Sequence, residues 1–290
     1  MAVPHLCNHR NVLHEVEEGV TAVEVEPKFG IDQRAFLLHT EAGMVMWDCL
    51  GLLHPEAVDT IKQRFGGIAA IAISHPHFYC AMADWAEAFD CQAQFPRRLQ
   101  VWVHEADREF ITRPSDRIQL WSGDEKQLLP GCTLVRLGGH FPGSCVLHWE
   151  RAPADGKPVL FTGDTIMPCM DRKWVSFWML GFTGSWKWAN LPDNVSFMYS
   201  FPNYVPLPAG EVRRMAAAVG RWRFDRLYGA FPGSRESAPG WASNSAKLGC
   251  ATLDANQVEW TAHSRALLWV AGPSCVCSRR WCTNMLPCSW

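Results

Sequence analysis

Three histidines and two aspartates stand where short apolar runs break into loops. The segments are Met46-Trp47-Asp48, Ser74-His75-Pro76-His77, Gly139-His140-Phe141-Pro142-Gly143-Ser144 and Phe161-Thr162-Gly163-Asp164-Thr165. His75 and His77 lie two positions apart, so in extended chain both imidazoles leave on the same side and can reach one point. Gly139, Pro142 and Gly143 impose a tight turn that presents His140. Asp164 follows a strand-like run and is expected at the strand's end. Imidazole nitrogens and a carboxylate are the donors a hydrolytic zinc uses, and a site with few protein ligands leaves room for water. The same donors suit iron. In a chain with eleven histidines an H-x-H pair alone says little. The two later segments, each at a strand end, carry the metal reading. Asp48 is expected either to brace the metal loop through hydrogen bonds or to cap its own strand. His104 also ends a strand and could line the cleft, whereas His148 reads as a packed histidine.

These side chains need strands to position them. Residues 20–26 alternate as a strand does, and residues 34–39 and 44–49 flank a hairpin signal at Glu41-Ala42-Gly43. Residues 55–65 place Ala57, Val58, Ile61 and Phe65 on one helical face, and Gly66-Gly67 ends that helix. Residues 68–73 form a continuous apolar run, as expected of a strand buried on both sides. Helices are expected at 81–89 and 211–222, with a helical turn at 106–111. Further strands are expected at 99–103, 118–121, 133–137, 145–149, 159–162 and 226–230. Two groups of strands, each bordered by helices, predict an α/β fold with two sheets face to face and helices outside.

Composition narrows the function classes. An apolar content of 48% allows a sizeable core. The net charge of −2, with basic residues scattered, argues against a nucleic-acid binder. No run of about 18 apolar residues suggests a membrane span, and the N-terminal stretch with His5, His9 and His14 lacks the apolar centre of a signal peptide. Most of the twelve cysteines are dispersed beside apolar residues and read as reduced thiols. A soluble, cytoplasmic protein is the expectation. Cys275, Cys277, Cys282 and Cys288 crowd the C-terminal end at spacings that fit no standard zinc ribbon, and read as part of an unstructured tail.

In order and local sequence, these segments resemble the metallo-β-lactamase fold superfamily over residues 18–231. The resemblance implies a four-layer αββα sandwich of two mixed β-sheets flanked by helices, with metal at one edge. It implies His75, His77 and His140 as ligands of the first metal, and Asp164 as the carboxylate that usually bridges two. The family's first motif is H-x-H-x-D-H, which here reads His75-Pro76-His77-Phe78-Tyr79-Cys80. Tyr79 stands in place of the acid and Cys80 in place of the last histidine. The family's late histidine should fall near Tyr228-Gly229-Ala230-Phe231, where there is none; His263 lies beyond any alignment. Cys80 is read either as a thiolate donor or as a small buried side chain.

One ion is therefore expected rather than two, zinc ahead of iron or manganese. The implied activity is metal-dependent hydrolysis of a small-molecule ester, thioester, lactone or amide. Asp164 would orient water or act as base, and Tyr79 would donate a hydrogen bond to the developing oxyanion. The alternative is a non-catalytic scaffold that keeps the fold with a degenerate or structural metal site. Oligomeric state is left open. The expected organisation is one domain over residues 1–232, followed by a peripheral or poorly ordered tail at 233–290. Residues 178–194 read as an insertion or as a loop over the active-site edge: Trp174-Val175-Ser176-Phe177 nearly recurs as Asn194-Val195-Ser196-Phe197.

Overall fold

A computed structural model describes residues 8–90, 98–168, 195–203, 205–232 and 235–237. The suspected insertion at 178–194, His263 and the C-terminal cysteines lie outside the described residues.

The first sheet has seven strands in chain order: β1 (Arg10–Glu17), β2 (Val20–Glu26), β3 (Ala35–Thr40), β4 (Gly43–Trp47), β5 (Ala70–Ala72), β6 (Val101–His104) and β7 (Ile118–Trp121). Its first four strands pair antiparallel, and β4 to β7 pair parallel. The second sheet is built from β8 (Glu125–Leu129), β9 (Cys132–Arg136), β10 (Cys145–Trp149), β11 (Val159–Gly163), β16 (Arg226–Gly229) and β17 (Arg235–Ser237). Its order is β17-β16-β11-β10-β9-β8, and only β11 and β16 pair parallel. Two small ribbons complete the strands, β12 (Met167–Pro168) with β13 (Val195–Ser196) and β14 (Met198–Ser200) with β15 (Val205–Pro206).

Alternation along the strands builds four layers. In β3, Phe36 and Leu38 point into a core shared with Leu134, Leu147 and Phe161 of the second sheet. Their neighbours Ala35 and Leu37 point the opposite way, into a core with Val58, Ile61, Trp85 and Phe89. Val58 and Ile61 belong to α1 (Pro55–Phe65) and Trp85 to α2 (Met82–Ala88), with Phe89 just past the end of α2. On the far side Val135, Val146 and Leu160 pack against Val212, Met215 and Val219 of α3 (Ala209–Val219). The architecture is the expected αββα sandwich.

Local chemistry sets the ends of α1. His54 caps its N-terminus by accepting the Glu56 N–H at 3.4 Å, and Pro55 stands in the first turn. Gly66 ends it at φ 75°, its N–H bonded to Lys62 O. The helix at 81–89 is shorter than expected, and the turn at 106–111 is a 3-10 segment, Glu105–Phe110. The run at 68–73 is buried except for the half-buried Ala69, and Ala70–Ala72 pairs as a strand. Among the described residues no helix is long and apolar enough to cross a membrane.

Strands β4, β5, β9 and β11 end at one edge of the sandwich. There the two sheets are tied by a backbone bond, Cys145 N–H to Ser74 O at 3.0 Å.

Candidate metal centre

Four side chains meet at this edge. His75 caps the 3-10 turn Pro76–Phe78 that follows β5, and His77 lies within that turn. His140 sits in the loop between β9 and β10, and Asp164 directly follows β11. One donor atom from each of the four lies within 4.8 Å of the others. His75 Nε2 is 3.1 Å from His77 Nδ1 and 3.6 Å from Asp164 Oδ2. His77 Nδ1 is 3.5 Å from His140 Nε2 and 3.9 Å from Asp164 Oδ2. A tetrahedral ion with bonds of 2.0–2.1 Å holds its donors about 3.3 Å apart. The separations of 3.1–3.9 Å come near that.

The hydrogen bonds behind the donors fix which nitrogen faces inward. His140 Nδ1 lies 3.1 Å from the Met198 carbonyl, which can only accept. Nδ1 therefore carries the proton, and neutral His140 presents the Nε2 lone pair to the cluster. His75 Nδ1 lies 2.8 Å from the Ser74 hydroxyl, which also bonds to the Asp48 carboxylate. When Asp48 is ionised, the hydroxyl gives its proton to that carboxylate, accepts from His75 Nδ1–H and leaves Nε2 free to ligate. Asp48 additionally accepts the Ser74 N–H at 2.7 Å. It does so from a left-handed φ of 61°, a conformation Asp tolerates better than most residues. Gly163 makes this chain of contacts possible, because a Cβ there would stand 2.5 Å from Ser74 Oγ.

Burial dominates the electrostatics. It pushes the His75 and His140 imidazoles below their ordinary values, His140 to about 4, which keeps both neutral as a ligand requires. Burial would push the Asp164 carboxyl up, but the neighbouring His75 and His77 imidazoles outweigh it and hold Asp164 ionised. Asp164 Oδ1 is buried and has no hydrogen-bond partner among the described residues. Asp48, with its carboxyl inside the fold, is pushed up to about 8 by burial, against the pull of the Ser74 bonds. Neutral imidazoles, an ionised carboxylate and inward lone pairs fit a divalent cation.

The remaining predicted residues fall elsewhere. Tyr79 is 7% exposed and packs in the core between the first sheet and its helices. Burial raises its phenol, so it stays protonated. Cys80 is exposed and lies beside Gly51. His104 donates to Gly123 O at 3.0 Å and accepts the Ala106 N–H at 3.1 Å, so both nitrogens are used in holding a turn. His148 donates to Arg223 O at 2.7 Å on the α3 side.

Sequence reasoning passed over several supports. The Ser74 hydroxyl and the Met198 carbonyl are two. A third is Asp107, which is fully buried and accepts the Gly143 N–H at 2.7 Å, pinning the loop that carries His140. Burial pushes its carboxyl up to about 6. Only Ser74 had a local signal, as the residue before the H-x-H pair.

No family model matches the chain. The Bacillus subtilis (strain 168) protein YmaE, described as uncharacterized, is 42% identical over 224 residues, covering 77% of this chain and 71% of that protein. Among solved structures, the DIM-1 metallo-β-lactamase is similar with a TM-score of 0.53 at 10% identity, over 84% of this chain and 99% of that one. A flavo di-iron protein variant from Thermotoga maritima gives 0.51 at 8% identity, over 84% of this chain and 62% of that one. At such identities the likeness is one of fold. With its αββα sandwich the chain has the metallo-β-lactamase fold, and it belongs to one family with YmaE.

Proposed function

We propose that this chain is a metal-dependent hydrolase that holds one divalent cation on His75, His77, His140 and Asp164 and cleaves a small-molecule ester, thioester, lactone or amide. The observation that carries the reading is the convergence of four donor atoms within 4.8 Å of one another. Zinc suits the donor set best, and iron or manganese also accept it. When bound, such a cation supplies Lewis acidity toward a carbonyl oxygen and makes water acidic enough to react near neutral pH.

The chain's own groups do the rest. Asp48 and Ser74 hold His75 in its ligating tautomer, and the Met198 carbonyl does the same for His140. Asp164 turns Oδ2 toward the histidines, and its Oδ1 has no partner among the described residues, which makes Oδ1 the natural acceptor for a proton lost by the attacking water. Tyr79 keeps its proton and so is no ligand, and its place in the core turns it away from the cluster and from the oxyanion role expected of it. A scaffold reading draws on Tyr79 and Cys80, which replace two donors of the family's second site.

Elemental analysis of protein purified without added metal, followed by a screen of esters, lactones and thioesters with zinc, manganese or iron, tests the proposal. One equivalent of metal is expected, with turnover that disappears in Asp164→Asn while part of the metal remains. One tightly held equivalent with no turnover on any substrate class would leave the scaffold standing instead.

A further inference from the structure

Among the four donors, His77 is the one exposed to solvent. His75, His140 and Asp164 are buried, whereas the His77 side chain is 48% exposed. Around the cluster the surface is aromatic. The Phe141 ring packs against the rings of His75, His77 and His140, with centroids at 5.7, 5.0 and 5.0 Å. Phe110, 37% exposed, meets Phe141 edge to face at 5.1 Å. Phe201 meets the His140 ring at 5.7 Å from another direction. These rings come from three separate segments: the 3-10 turn Glu105–Phe110, the His140 loop and the turn after β14. Rings gathered from distant parts of the chain beside reactive groups form an apolar wall for a flat guest.

Charge completes the argument. Arg214, whose guanidinium lies beside Gly138 at the base of the His140 loop, is paired with Glu211 at 2.6 Å. Arg136, on the same loop's flank, gives its Nε to the Pro142 carbonyl at 2.9 Å. Recognition of a phosphate or carboxylate uses Arg or Lys donors.

We infer that the substrate is an uncharged ester carrying a flat apolar group beside its scissile carbonyl, held against Phe110, Phe141 and Phe201. The inference rests on the hydrolase reading and gives it a substrate class. Hydrolysis of such an ester consumes one water. A C–O bond forms between water oxygen and the carbonyl carbon, the C–O bond to the alkoxy group breaks, and the departing alkoxide takes a proton to leave as alcohol.

Two measurements on the full chain test this. In the first, binding of acetone and of benzylacetone, ketones that water cannot cleave, is followed by calorimetry with and without zinc. Benzylacetone should bind at least about tenfold more tightly, and Phe110→Ala should remove most of that difference. In the second, ethyl acetate, ethyl phenylacetate and monoethyl succinate are compared in a pH-stat with zinc. Ethyl phenylacetate should lead ethyl acetate in kcat/KM by about tenfold or more, with the anionic succinate last. Phe110→Arg should invert the order of phenylacetate and succinate. Turnover with no preference for the aromatic ester, or with succinate preferred, overturns the substrate class and leaves the hydrolase intact. Selective benzylacetone binding without turnover of any ester overturns the hydrolase and leaves an aromatic-binding site. Benzylacetone bound no better than acetone overturns the inference outright.

Discussion

Within the single loop that leaves β5, two adjoining stretches make opposite use of their side chains. His75 and His77 face the cluster, and the His75 imidazole is backed by Ser74 and Asp48. Phe78 and Tyr79 turn into the core, and Cys80 lies at the surface beside Gly51. The distant strand β16 follows the second pattern. Tyr228 is fully buried, stacked on Phe161 with centroids at 5.3 Å, and Ala230 is 1% exposed. Where the resemblance puts donors of a second metal, packing holds the backbone in its place. A loop path can outlast the chemistry it once carried, because apolar burial stabilises it without polar support.

The largest test of that contrast returns an acid to the packed half. Tyr79→Asp should destabilise the metal-free protein by about 3–5 kcal/mol, from the lost ring and a buried unpaired charge, read by urea unfolding. Combined with Cys80→His it should raise bound zinc from one equivalent to two and recover part of the lost stability. A stoichiometry still at one would mean that missing donors alone do not account for the difference.

Next comes the ligating half. His140→Ala should weaken metal binding by more than the roughly 100-fold upper end seen when a supporting residue is lost, measured by competition with a chelator. Ser74→Ala keeps all four ligands and frees the His75 tautomer, so it should fall within about 10–100-fold. An effect as large as that of His140→Ala would show that Ser74 does more than orient.

A pH experiment probes Asp48. Its folded pKa of about 8 lies above its ordinary value of 3.8. The folded state then binds more protons between those values, so this group's contribution is fully present below about pH 4 and is lost as pH rises through 8. In metal-free protein, stability relative to Asp48→Asn should decline over that window by up to about 1.4 kcal/mol per pH unit. A flat difference would sink the assignment. Smallest of all, Cys80→Ala should shift stability by less than about 0.5 kcal/mol and leave metal stoichiometry untouched.

The sequence made the interior strands legible because their burial leaves unbroken apolar runs, as in β5 and β11. It hid β1, β8 and β17, and all three are edge strands. With a partner on one side only, an edge strand carries charges such as those of Arg10, Glu15 and Glu17 in β1, which erase the pattern. The site divides in the same way. His75, His77, His140 and Asp164 show themselves through local turn chemistry beside strand ends. Their supports do not, since Met198 reaches His140 across 58 positions and Asp107 reaches Gly143 across 36. A backbone carbonyl has no signature at all, because every residue has one.

The ribbon of β12 and β13 has a consequence for the length of the chain. Pro168 and Val195 are cross-strand partners, so the two ends of the segment that joins them are held side by side. Closing a short turn in place of residues 169–194 would save about 1.5–2 kcal/mol of loop entropy by the logarithmic law. Insertions and deletions at this address therefore carry little thermodynamic weight, and gene rearrangements could lengthen or trim the protein here without disturbing the stitched ends.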